Sequence, residues 1–225
     1  MQKKSGWKTG IKISVVALIL SLAYAIIRYN IIKGTPWQNL PLFIFNKAFA
    51  LASVIIIGIS FLLGPMAKIS PKKFSQKLYL RKSLGLIGFT IAALHALISL
   101  LIFNPSYYPK FFAEGKLTLG GELSMLFGVL AFFIFAFVAI TSLPSIENSM
   151  DKKRWLSIQR SGYLAFFFVL LHVFFMGFKG WLVPADWPGG LPPISLIAFV
   201  IIAFVLLIRI LAIFVKNSLY QNFSN

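Results

Sequence analysis

Six stretches of about twenty apolar residues, near 11–32, 42–64, 83–103, 120–143, 161–181 and 193–215, take up most of this chain. A helix rising 1.5 Å per residue needs about that length to cross a ~30 Å hydrocarbon core. In lipid every backbone N–H and C=O must find a partner within the protein, so runs of this length predict closed helices rather than open strands. Only 12% of the 225 residues are charged and 59% are hydrophobic, against roughly 25% charged in a soluble domain. A water-soluble globule is excluded. The expected fold is all-α and integral to the membrane: one domain over residues 1–225, a six-transmembrane-helix bundle lying multi-pass in a cell (inner or plasma) membrane.

The breaks carry the orientation. Placing the N-terminus inside leaves only Arg28, Lys33, Lys47, Lys110, Lys116 and Lys179 of the 22 basic residues outside. The others, such as Lys3, Lys4, Lys68, Lys82, Lys152, Arg209 and Lys216, fall on the inner side, the bias expected of cytoplasmic connectors. Both termini are therefore expected to be cytoplasmic. The first span also resembles a signal peptide, with a basic start and an Ala23-Tyr24-Ala25 triplet; the apolar run continuing through Ile26 and Ile27 favours an uncleaved helix over a five-span mature form. A formal charge of +17 is read as topology and contact with anionic membrane lipid, not nucleic acid. With no cysteine, disulfides, Fe–S clusters and thiol relays are excluded.

Ionisable side chains inside a span are costly and mark function by default. The two histidines of the chain both lie there, His95 in the third span and His172 in the fifth. They stand 13 and 12 residues beyond the last basic residue at the inner end (Lys82 and Arg160), about 20 and 18 Å at helical rise. Two imidazoles at one depth, on helices of the same direction, suit the two axial ligands of a haem iron. Gly88 and Gly85 precede His95 by seven and ten residues, and Ala165 and Gly162 precede His172 by the same steps. That spacing is expected to leave room for a flat macrocycle, with Phe168, Val169, Phe175 and Met176 walling the pocket. Close helix packing uses small residues at the same spacing. Zinc would need a third or fourth ligand, and no mid-span carboxylate or thiol supplies one.

Arg81-Lys82-Ser83-Leu84-Gly85-Leu86 leading to Leu94-His95, and Lys153-Arg154-Trp155 through Tyr163-Leu164 to His172, resemble the ferric reductase-like transmembrane domain family. Within it, the likeness points to the haem-binding membrane subunits of bacterial methionine sulfoxide reductase systems. The resemblance implies one b-type haem between the third and fifth helices, with His95 and His172 as axial ligands, and electron transfer across the membrane. Gln159 stands where those subunits have a further histidine, and the equivalent place on the third span is Lys82, so a second haem is not expected. No Gly-rich dinucleotide fingerprint is present, so electrons are expected from a separate cytoplasmic flavoprotein, a bound FMN or the quinol pool.

The chain thus reads as the membrane electron-transfer subunit of an oxidoreductase, passing electrons to an acceptor or partner at the outer face. A haem at mid-depth would leave ~15 Å to either surface, which invites a second carrier such as FMN or quinone. Arg81 and Arg160 are candidates to pair with haem propionates or a flavin phosphate, snorkelling being the plain alternative. Ser99 and backbone carbonyls are candidate acceptors for the imidazole N–H groups. Two other readings stay open: a proton-coupled small-solute transporter, which would normally carry mid-span acids or interrupted helices, and a non-catalytic membrane anchor subunit.

Overall fold

The structure, a computed structural model, describes residues 6–221, with side chains described through Phe214. Lys3, Lys4 and the side chain of Lys216 lie outside the described residues. Six long helices follow one another: α1 (Trp7–Ala25), α2 (Phe45–Ile69), α3 (Leu80–Ile102), α4 (Leu119–Ile140), α5 (Lys152–Trp181) and α6 (Ile194–Gln221). All six are long and apolar enough to cross a membrane. The sixth apolar span starts slightly ahead of its helix, at Pro188–Phe214. The Ala23-Tyr24-Ala25 triplet sits inside a continuous helical span, Trp7–Ile32, and Tyr24 Oη donates to the Pro192 carbonyl at 2.7 Å.

The bundle is inside-out relative to a soluble protein. Leu100 and Leu101 are 67% and 73% exposed and Phe133 67%, whereas Ser21, Asn46 and Ser124 are at most 1% exposed. Lipid solvates the leucines, so packing is driven by close approach and internal hydrogen bonds. α2 lies at the centre, against α1, α3 and α6, and α5 packs between α4 and α6. α3 and α4 meet over a much smaller surface. From Phe89 to Leu101 no residue of α3 is buried. A helix pressed against a bundle buries about one residue per turn, so the wall around His95 is incompletely filled by protein.

Two local departures from the α-helix flank that region. Residues Ile26–Ile32 and Leu40–Ile44 form π turns, wide coils that are uncommon and cluster at functional sites. The first buries Arg28, Tyr29 and Asn30 in succession. A third irregularity is Pro65 inside α2, which has no N–H for the Phe61 carbonyl four residues earlier. Tyr163 Oη of α5 donates to that carbonyl at 2.9 Å, and Arg81 Nε of α3 donates to the neighbouring Ser60 carbonyl at 3.3 Å. In a membrane core the freed Phe61 carbonyl must be satisfied by a neighbouring helix, and with the Arg81 bond it ties α2 to both histidine-bearing helices.

α5 starts earlier than the apolar run 161–181 suggests. Asp151 caps it, accepting from the N–H groups of Lys153 and Arg154 at 3.0 Å, and basic turns carry the helix to Arg160. At the opposite end of the bundle, Phe112–Ala113 pairs with Lys116–Leu117. Glu114 and Gly115, both with positive φ (50° and 77°), make the turn between them, the geometry that favours glycine in tight hairpins.

Candidate functional site: paired histidines held from facing helices

His95 is oriented by α2. Its Nδ1–H donates to Asn46 Oδ1 at 2.7 Å, with the Asn46 carbonyl 3.2 Å away. Asn46, 1% exposed, is fixed in turn by its Nδ2–H donating to Ser99 Oγ at 3.0 Å. His172 is oriented by α4. Its Nδ1–H donates to the Ser124 carbonyl at 2.7 Å, and Ser124 Oγ, 3.2 Å from the same nitrogen, donates to the His172 carbonyl. One turn along α4, Gly128 supplies the floor: a Cβ there would stand 2.9 Å from His172 Nδ1.

The two sites share one logic. A carbonyl acceptor requires the proton on Nδ1, and in the neutral form of each ring this leaves the lone pair on Nε2. Neither Nε2 has a hydrogen-bond partner among the described residues, and both histidines are partly accessible. Orienting a ligand histidine through its other nitrogen is the usual outer-shell device of a metal centre. Among the described residues no group of three or more His, Cys, Asp or Glu assembles, and the two imidazoles are the candidate donor set. That set suits an iron whose other ligands come with a macrocycle, and does not suit zinc.

Along their helices the two histidines stand off-centre. His95 lies seven residues from the Ile102 end of α3 and fifteen from the Leu80 end, about 10 and 22 Å along the axis. His172 is nine residues from Trp181, about 14 Å. The pair therefore sits nearer the end opposite the Lys-rich connectors.

The small residues play another part. A Cβ at Gly88 would stand 2.6 Å from Ile57 Cγ1, one at Gly162 2.7 Å from Phe61 Cζ, and one at Gly85 3.5 Å from Ser60 Oγ. Ala165 is fully buried in the cluster containing Phe61, Phe135 and Phe166. At Gly88 and Gly162 the room is thus taken by α2. Seven residues before a histidine is about two turns nearer the basic end, and ten residues is also about 80° round the helix, so these positions meet α2 rather than the histidine level. Phe168 and Phe175 each stack on Phe127 of α4, at 5.9 and 5.8 Å, giving the His172 side an apolar wall.

Arg81 lies fourteen residues from His95, about 21 Å down the helix, bound to Ser60; Arg160 is exposed. Neither shares the histidine level. Gln159, in place of a second histidine, donates to the Val138 carbonyl at 3.3 Å and to Ser142 Oγ at 3.0 Å, and Lys82 pairs with Glu147 at 2.5 Å. Near the opposite end, Lys47 follows Asn46 directly and points its Nζ over the rings of Phe43 (4.3 Å), Tyr29 (4.9 Å) and Tyr108 (5.5 Å). Tyr107 and Tyr108 pack on Phe43, so these tyrosines help build an inner aromatic cage. Lys110, in the loop before α4, donates to the Met176 carbonyl at 2.9 Å; burial, with the charges of Lys47 and Lys33, pushes its pKa down to about 8.

Asn46, Gly128 and Lys47 are the site residues that sequence reasoning did not assign. The available signal was an Asn-Lys pair interrupting the apolar run 42–64, and Ser124 and Gly128 four residues apart on one face of α4.

The fold is a six-span helical membrane domain in which two histidines are each hydrogen-bonded from a facing helix. Residues 48–170 match the model of the ferric reductase like transmembrane component, more than half of the chain, and the protein belongs to that family. His95 lies within the match, His172 two residues beyond it, and Asn46 and Lys47 just before it. Among curated proteins the chain is similar to Metalloreductase STEAP2 of Mus musculus, 22% identical over 233 residues, covering 89% of this chain and 48% of the relative. It is likewise 22% identical to human Metalloreductase STEAP2 over 237 residues, covering 91% and 48%. The chain spans about half the length of these relatives.

Proposed function

We propose that this chain is a membrane electron-transfer component carrying a single b-type haem, which supplies a one-electron ferric/ferrous couple when bound. The observation that carries the reading is the matched pair: each imidazole donates its Nδ1–H to an acceptor on the facing helix and keeps Nε2 for iron. His95 and His172 would hold the iron, Asn46 and Ser124 fix the rings, Gly128 keeps space for one of them, and Phe127, Phe168 and Phe175 would exclude water. With two imidazoles as its protein ligands, the haem would supply outer-sphere electron transfer rather than oxygen chemistry.

With both termini inside, the site lies nearer the outer face of the cell membrane. That suits delivery outward, to an outer-face oxidoreductase as the likeness to sulfoxide-reductase subunits implies, or to a metal complex as the relatives' name suggests. The longer leg to the cytoplasmic side is about 22 Å along α3, and a flavin or quinone between donor and haem shortens the jump. Arg81 and Arg160, at that end, are the candidate partners for its anionic groups. The π turns widen helices without breaking them, and no mid-span acid accompanies the histidines, which leaves the transporter reading without its usual machinery.

The test is the visible spectrum of purified protein, oxidised and dithionite-reduced, with His95→Ala and His172→Ala. A b-type α band sharpening on reduction and lost in both variants supports the reading. Colourless wild-type protein from haem-replete cells overturns it.

A further inference from the structure

The feature left unexplained by the paired histidines is Lys47. It lies within the second membrane span, Trp37–Ile69, one residue from the asparagine that orients His95. Its ammonium is surrounded by the rings of Tyr29, Phe43 and Tyr108, and a second cation, Arg28, stands over the same Tyr29 ring at 4.8 Å. The chain has only five acidic residues, and among the described residues the one salt bridge is Lys82–Glu147 at the other end of the bundle. Arg28 is satisfied by the carbonyls of Leu191 and Pro192, at 3.2 and 3.0 Å. Among the described residues Lys47 has aromatic faces and no anion. A cation desolvated without a counter-charge is expensive, and π faces compensate it only in part.

We infer that Lys47 is the built-in positive charge of the redox centre: it complements the anionic edge of the haem and raises the haem's reduction potential. The inference rests on the haem reading above. A ferric iron–porphyrin core carries one more positive charge than the ferrous core, so a fixed cation in a low-dielectric site disfavours the oxidised form. Asn46 works in the opposite sense, because accepting the His95 N–H strengthens the imidazole as a donor to iron. Adjacent residues of α2 thus set the potential from both sides, and Lys47 biases the centre toward holding an electron before releasing it.

The measurement is a spectroscopic redox titration of full-length protein in detergent, comparing wild type with Lys47→Met, Lys47→Gln and Lys47→Arg. Both charge-free variants are expected to keep the low-spin spectrum and shift the redox equilibrium toward the oxidised form at least tenfold, a fall of about 59 mV for a one-electron couple. Lys47→Arg is expected to stay close to wild type. An unchanged potential in Met and Gln variants with intact spectra overturns the inference. So does a fall in Lys47→Arg as large as in Lys47→Met, which would assign the effect to packing. Slower reduction of an external anionic acceptor at constant potential would make Lys47 a docking residue instead, and also overturns it. Haem missing from the wild type defeats the underlying reading, an outcome distinct from all of these.

Discussion

Replacing Gly128 tests whether the His172 ring is held where iron needs it. A Cβ at this position stands 2.9 Å from His172 Nδ1 and 3.2 Å from Cε1, where unstrained carbon contacts begin near ~3.5 Å. The ring must withdraw by roughly half an ångström, yet it is pinned on the same side by the 2.7 Å bond to the Ser124 carbonyl. Either the bond breaks, at about 0.5–1.5 kcal/mol, or α4 and α5 part, an overpacking cost of about 1–3 kcal/mol. Gly128→Ala should lose part of the haem, and Gly128→Val, with two further methyls, nearly all of it, while helical content is retained. Gly180→Ala is the control, since a Cβ there meets nothing within 4 Å. The assay is haem per chain, from the reduced α band against protein concentration, with circular dichroism for the fold. Full occupancy and a wild-type spectrum in Gly128→Val would refute the reasoning, because the ring would then have to lie elsewhere.

Tyr163→Phe should orphan the Phe61 carbonyl that Pro65 leaves free and destabilise the protein by about 1–3 kcal/mol; Pro65→Ala, which restores an N–H four residues on, should recover much of this in the double variant, read by thermal unfolding in detergent. Lys110 should react with an acylating reagent with a pH midpoint near 8 rather than at the ordinary lysine value, because its ammonium is disfavoured in the folded state. Its folded pKa is depressed, so its contribution to stability grows as pH rises above 8. Mass spectrometry across a pH series reads the reactivity. Gln159→His should leave haem at one per chain, since Lys82 occupies the matching position on α3 and pairs with Glu147; two haems per chain would contradict the account.

The six spans were legible because the hydrocarbon core sets a length that apolar runs must meet. The histidine pair was legible because charge inside a span is rare. What stayed hidden has physical causes. The first turns of α5 are basic and lie outside the apolar run, so hydropathy began that helix about nine residues late. The π turns at Ile26–Ile32 and Leu40–Ile44 leave no periodic signature, the first holding three consecutive polar or aromatic residues inside an apolar run and the second apolar throughout. Gly88 and Gly162 were visible as small residues on the histidine helices, but which neighbour fills the space depends on where α2 crosses, and spacing along one helix does not carry that. Ser99 was placed near the His95 N–H and does stand beside it at 3.5 Å, yet Asn46 from another helix accepts the proton. A partner brought in by tertiary packing leaves only the trace of a polar residue in an apolar run.

The most direct measurement is electron paramagnetic resonance of the oxidised, purified protein, integrated against protein concentration. The account predicts a single low-spin ferric signal of a bis-imidazole haem, one spin per chain, abolished or turned high-spin by loss of either His95 or His172. A wild-type signal that is high-spin, integrates to two centres, or survives both substitutions would contradict it.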